Sequence, residues 1–167
     1  MLIKRSNISE TKQRKDRGSL ILLWITISLC FTFGFMFANH RVLNLSNYIF
    51  AGFGVLIILI GLSIRWLSIL QLKKAFTVDV AIGTEQKLKT DGMYTIIRHP
   101  SYLGLMLIMV GFSISMNSLV SIALVTIPMF LAIHYRIIVE ERVLTEEFGD
   151  AYKSYIMKTK RLIPWIY

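Results

Sequence analysis

The sequence predicts an all-α, polytopic integral membrane bundle of about four transmembrane helices, followed by an amphipathic C-terminal helix. Three observations predict it. The 167 residues are 54% hydrophobic with a mean hydropathy of +0.58, and the apolar residues fall in four blocks separated by polar segments. Three of those blocks reach the roughly 20 residues that a helix needs to cross a bilayer. The net charge of +9 is spread over segments that flank the blocks and forms no continuous basic face. That pattern fits membrane orientation and anionic lipid, and argues against nucleic acid.

Residues 1–18 form a polar, basic segment carrying Lys4, Arg5, Lys12, Arg14, Lys15 and Arg17, with the single membrane domain following over 19–167. The first span is expected over about 19–38. No Ala-x-Ala-like cleavage site follows it, since Phe37-Ala38-Asn39-His40 matches poorly, so it reads as an uncleaved span. Cys30, the single cysteine, lies inside it and reads as a small buried thiol.

The second span is expected over about 48–72, and Arg65 near its end is a buried charge that either snorkels or meets a carboxylate. The polar segment after it is mixed. Phe76-Thr77-Val78 suggests a short extended piece and Asp91-Gly92 a turn. The third span, about 102–116, is short unless it begins within Arg98-His99-Pro100. The fourth occupies about 119–139. Asn117 and Ser118 leave room only for a tight turn, so these two helices form an antiparallel hairpin.

After Glu141 the spacing of Phe148, Tyr152, Tyr155 and Ile156 predicts an amphipathic interfacial helix to about Lys160, with Gly149 as a possible break. Pro164 ends it, and Trp165 and Tyr167 suit the headgroup level.

Basic residues set the orientation. The N-terminal cluster, the 73–98 segment with Lys73, Lys74, Lys87, Lys89 and Arg98, and the tail from Arg142 to Arg161 are expected in the cytoplasm. Both termini then face the cytoplasm. So do the two polar groups at span ends, Arg98-His99-Pro100-Ser101-Tyr102 and Arg136 with Glu140 and Glu141. Ionisable groups at that depth mark binding sites.

Pro100 forces His99 out of helical geometry and suits the first position of a helix. Such a start offers free amides and a partial positive charge to an anionic group. Arg136 and Glu140, four residues apart, share a helix face and either pair with each other or serve a ligand. Glu141 points elsewhere and reads as the wet end of the helix. Taken singly, Tyr94 and Tyr102 read first as interfacial belt residues, and His134 as a packed or interfacial histidine. His40, His99 and His134 are scattered, so no metal site is expected.

Taken together, Gly92-x-Tyr94-x-x-x-Arg98-His99-Pro100-x-Tyr102-x-Gly104, the apolar hairpin, Glu140-Glu141-x-x-Leu144, Phe148-Gly149-x-x-Tyr152-x-x-Tyr155 and Arg161-Leu162-Ile163-Pro164 resemble the isoprenylcysteine carboxyl methyltransferase family. The resemblance runs from about Gly61 to Pro164. It implies an S-adenosylmethionine-dependent membrane methyltransferase acting on a lipophilic acceptor, a lipid or lipid-like small molecule. Carried over residue by residue, it implies a cofactor site of Leu88, Tyr94, His99, Pro100, Ser101, Tyr102 and Glu140, with Arg136 as the catalytic, substrate-orienting arginine. Lys89 departs from the family's apolar residue and weakens the carry-over at Gln86 and Lys87. A phospholipid N-methyltransferase, an NADPH-dependent membrane reductase and a non-enzymatic scaffold or transporter component are the alternatives.

Overall fold

A computed structural model of the chain describes residues 2–38, 48–78 and 88–163, with side chains over 17–38, 48–72 and 88–163. Among the described residues five helices follow one another: α1 (Leu2–Ala38), α2 (Tyr48–Val78), α3 (Pro100–Ser115), α4 (Leu119–Phe148) and α5 (Asp150–Lys158). A short 3₁₀ turn, Gly92–Thr95, precedes α3. Arg17–Ala38, Tyr48–Leu72 and Leu119–Phe148 are long and apolar enough to cross a membrane. Helix α3 has 16 residues and spans about 24 Å at 1.5 Å per residue, a little short of the hydrocarbon core. Helices α1, α2 and α4 turn Trp24, Phe53, Trp66 and Phe130 outward, as lipid-facing helices do.

The helices form a row, α2 against α3, α3 against α4, and α4 against α1. What lets α2 and α3 lie close is the absence of side chains at the contact. A Cβ on Gly104 would stand 2.7 Å from the Arg65 backbone nitrogen and the Gly61 carbonyl oxygen. Gly54 and Gly111 form a second rung seven residues away on each helix, with equally close backbone. The interior between α1, α3 and α4 is filled by Leu105, Met109, Phe112, Val125, Met129, Ile133 and Ile137. Cys30 is a free buried thiol there.

Helix α3 starts at Pro100, so the third apolar helix does begin inside the Arg-His-Pro motif. The α3–α4 turn is tight. Asn117 takes φ of 59°, and the Ser118 hydroxyl accepts the Ser121 amide at 3.4 Å to cap α4.

Two expectations change. Residues 76–78 continue α2 as helix and are not extended. The fourth helix runs on to Phe148, so residues 141–148 belong to it and not to an interfacial helix. Gly149, with φ of 54°, is the break, and the separate α5 is only nine residues long. The backbone of residues 2–18 continues α1 as helix. Residues 39–47, the 79–87 segment with Gln86 and Lys87, and Pro164, Trp165 and Tyr167 lie outside the described residues.

Candidate active site at one end of the helical row

Two polar networks meet where α3 begins and α4 passes. In the first, Tyr102 joins Arg136 and Glu140. Its hydroxyl donates to Glu140 Oε2 at 2.6 Å and accepts from Arg136 Nε at 3.0 Å. The direct Arg136 Nε–Glu140 Oε2 approach is longer, 3.7 Å. The i,i+4 pair is therefore bridged by a tyrosine from the facing helix. Arg136 is buried, while the Glu140 side chain is 31% exposed and remains open to a ligand.

The second network is centred on Glu141, which is buried and does not end in water. Its Oε1 accepts from Arg98 Nε at 2.9 Å, and its Oε2 from Arg161 Nε at 3.0 Å. Arg98 Nη1 also donates to the carbonyls of Ile156, at 3.2 Å, and Thr159. Charge-assisted bonds of this kind are the stronger class. They fasten the tail to the loop before α3. The backbone repeats the link: Arg98 N donates to Lys160 O at 2.7 Å and His99 N to Arg161 O at 3.1 Å. Tyr155 Oη donates to the Tyr94 carbonyl at 2.6 Å. Burial pushes the Tyr155 hydroxyl up to about 12.

His99 is buried, with backbone angles of −125° and 57° that exclude it from the helix. Its Nε2 is shut from solvent, makes no hydrogen bond, and lies 3.5 Å from Glu141 Oε1. Its ring lies 5.7 Å from that of Tyr102. Pro100 is fully buried at the first helical position. The amides of Tyr102 and Leu103 both return to the His99 carbonyl. The helix start is therefore less open than expected, and among the described residues Ser101 supplies its remaining free amide. The Ser101 hydroxyl and carbonyl accept from Arg65 Nη1 at 3.3 and 3.1 Å. Arg65 thus meets α3 rather than a carboxylate.

Tyr94 is buried and hydrogen-bonds the Ser68 carbonyl on α2 at 3.4 Å. Burial first, and the Glu140 charge second, raise its hydroxyl above the ordinary range. Leu88 is half-buried in the segment that leads to the 3₁₀ turn. Lys89 turns to Asp91 at 2.7 Å. His134 stacks on Phe130. Among the described residues no group of His, Cys, Asp or Glu converges as a metal site would.

The structure thus brings His99, Pro100, Ser101, Tyr102, Arg136 and Glu140 together, with Tyr94 behind them. The sequence places Glu141 at the wet end of the helix and gives Arg161 no part in the site; the structure corrects both. Their signal was present as two arginines and one glutamate near the same predicted membrane edge. The donor set fits S-adenosylmethionine: an open carboxylate suits its ammonium or ribose hydroxyls, and a free amide at a helix start suits its carboxylate.

Comparisons with known proteins agree. The model of the family described as phospholipid methyltransferase matches residues 49–151. A probable protein-S-isoprenylcysteine O-methyltransferase of Oryza sativa subsp. indica is 31% identical over 126 residues, 74% of this chain and 66% of that protein. The chain thus spans just under two thirds of that relative. Methanethiol S-methyltransferase 1 of Bradyrhizobium diazoefficiens is 35% identical over 84 residues, 50% of this chain and 28% of that protein. A solved eukaryotic intramembrane Ras methyltransferase, isoprenylcysteine carboxyl methyltransferase, shares the fold. Its TM-score is 0.63 at 24% identity, with 95% of this chain and 53% of that chain covered. The matched span includes the Arg-His-Pro helix start and both glutamates, and the chain belongs to the family of membrane methyltransferases that includes the phospholipid and isoprenylcysteine enzymes.

Proposed function

We propose that the chain is an S-adenosylmethionine-dependent methyltransferase in a cell membrane, acting on a lipophilic acceptor, with carboxyl O-methylation of an isoprenylcysteine-like or other lipid-like substrate as the leading reaction. The observation that carries this reading is the Tyr102 bridge. It holds an acidic group with exposed surface and a buried guanidinium within one hydrogen-bonded unit. Residues 19–167 act as one membrane domain, and the basic loops favour a site at the cytoplasmic side, with both termini there.

S-adenosylmethionine supplies a methyl group already activated on a sulfonium. Glu140 accepts from its ammonium or hydroxyl groups. The Ser101 amide, at the start of α3, receives its carboxylate, and His99 and Tyr102 wall that space. Tyr94 and Leu88 support the wall from behind. Arg136 orients the acceptor. A carboxylate acceptor arrives already deprotonated, so Arg136 needs only to aim it and no base is required. Positioning supplies most of the rate of an in-line transfer. A row of helices with lipid on both sides gives an apolar acceptor a sideways approach.

Phospholipid N-methylation is the second reading, favoured by the match over residues 49–151. Membranes containing the protein, incubated with methyl-labelled S-adenosylmethionine, separate the two. Label released as methanol by mild alkali supports an ester, and label retained on a lipid amine supports the second reading. No label above that of membranes lacking the protein contradicts both.

A further inference from the structure

Helix α1 lies outside residues 49–151, yet it reaches the candidate site. Three contacts pin it to α4 in one antiparallel register. Ser121 Oγ donates to the Gly34 carbonyl at 3.1 Å, Cys30 Sγ approaches the Val125 carbonyl at 3.6 Å, and Arg136 Nη1 donates to Ser19 Oγ at 2.7 Å. From the first contact to the last, α1 steps back from Gly34 to Ser19 and α4 advances from Ser121 to Arg136, fifteen residues on each. Two helices of equal rise keep such offsets in step.

The register is held by shape as well. A Cβ on Gly34 would stand 2.6 Å from the Phe112 ring. That ring is itself packed on Phe31 at 4.6 Å and Phe35 at 5.3 Å between centroids. Helix α1 cannot slide along α3 without breaking this fit, and the same Cβ would stand 3.2 Å from Val125 Cγ2 of α4.

At the far end of the register Ser19 is 1% exposed, on a helix whose apolar side chains mostly face outward. A buried hydroxyl requires a polar partner, and the Arg136 guanidinium is one. The guanidinium is planar and its donors are fixed relative to one another. Tyr102 of α3 bonds the Nε edge and Ser19 of α1 bonds Nη1, so groups on two different helices act on its direction.

We propose that Ser19 is a positioning residue: by holding Arg136 Nη1 it fixes the direction from which the guanidinium meets an acceptor carboxylate. The proposal rests on the assignment of Arg136 to the acceptor made above. It gives α1 a part in the acceptor end of the site through Ser19.

The test has two arms on the full-length protein in detergent micelles or nanodiscs. In the first, arginine-labelled protein is followed by NMR, with Arg136→Lys used to identify the signal. Rotation of the Arg136 Nη1 group is expected to be slow in wild type, faster in Ser19→Ala, and slow again in Ser19→Thr. The same rotation in Ser19→Ala as in wild type overturns the proposal. In the second arm, N-acetyl-S-farnesylcysteine serves as acceptor probe. Ser19→Ala should raise its KM about tenfold, the size of a lost hydrogen bond to a charged group, while the S-adenosylmethionine Kd stays within twofold. An equal loss in donor affinity overturns the proposal, because it marks a general structural defect. Absence of wild-type turnover on this probe counts against the carboxylate acceptor alone, and the rotation measurement still decides the role of Ser19.

Discussion

Glu140 and Glu141 are neighbours on α4, yet they end in separate networks. Glu140 accepts the Tyr102 hydroxyl at 2.6 Å on the face that meets α3. Glu141 accepts Arg98 at 2.9 Å and Arg161 at 3.0 Å on the face that meets the tail. One turn of helix thus serves a partly open site and a buried clamp at once.

The open member of the pair should govern ligand binding. Glu140→Gln removes the charge and keeps the shape, and Tyr102→Phe removes the bridge to Arg136. Each should weaken S-adenosylmethionine about tenfold or more, as loss of a hydrogen bond to a charged group does. Equilibrium binding on both variants checks this. Stability should change little for Glu140→Gln, whose side chain is partly exposed.

The buried member should govern the fold of the tail. Glu141→Ala leaves two arginines facing each other without their carboxylate. The expected loss is about 3–5 kcal/mol, the usual cost of removing one partner of a buried ion pair. Thermal unfolding in detergent measures it, and limited proteolysis should cut first between residues 150 and 163. A variant as stable and as protected as wild type would contradict the clamp.

Close backbone packing predicts a sharp response at the α2–α3 contact. Gly104→Ala places a methyl group against the Arg65 nitrogen and the Gly61 carbonyl, neither of which can yield as a side chain does. A cost of about 1–3 kcal/mol is expected from overpacking. Gly18→Ala, where a Cβ meets nothing within 4 Å, serves as the control and should be neutral or slightly stabilising.

Alkaline pH should loosen the tail through Tyr155. Its neutral hydroxyl is the form that donates to the Tyr94 carbonyl, and burial raises its folded value to about 12 against an ordinary value of about 10. A raised value means that the contribution is intact below pH 10 and is lost as the pH rises from about 10 through 12. Melting temperatures across that range should fall more steeply for wild type than for Tyr155→Phe. Parallel curves would show that this hydroxyl does not hold the tail.

Much of this was legible in the sequence, for definite reasons. Apolar block lengths gave the helices, and the two-residue turn at Asn117-Ser118 forced the hairpin that sets Tyr102 opposite Arg136 and Glu140. Pro100 marked the start of α3 because proline suits the first helical position, where its missing N–H costs no helical bond. Glu141 was misread because a position about 100° round the helix from Glu140 faces water unless something returns to it. What returns is Arg161, twenty residues later, beyond the Gly149 break. Arg65 was expected to snorkel or to meet a carboxylate, and it bonds Ser101 because Gly61 and Gly104 bring α3 within reach of its α2 neighbour. The Ser19 contact depends on the α1–α4 register, which local sequence does not encode.

In the proposed site the start of α3 and Glu140 together hold S-adenosylmethionine. Equilibrium binding of labelled S-adenosylmethionine to purified, folded protein tests it most directly, with Glu140→Ala and His99→Ala alongside. Wild type should bind saturably, both variants much more weakly, and Arg136→Ala nearly as well as wild type, with its loss falling on turnover. No saturable binding by folded wild type, or equal binding by all four proteins, would contradict it.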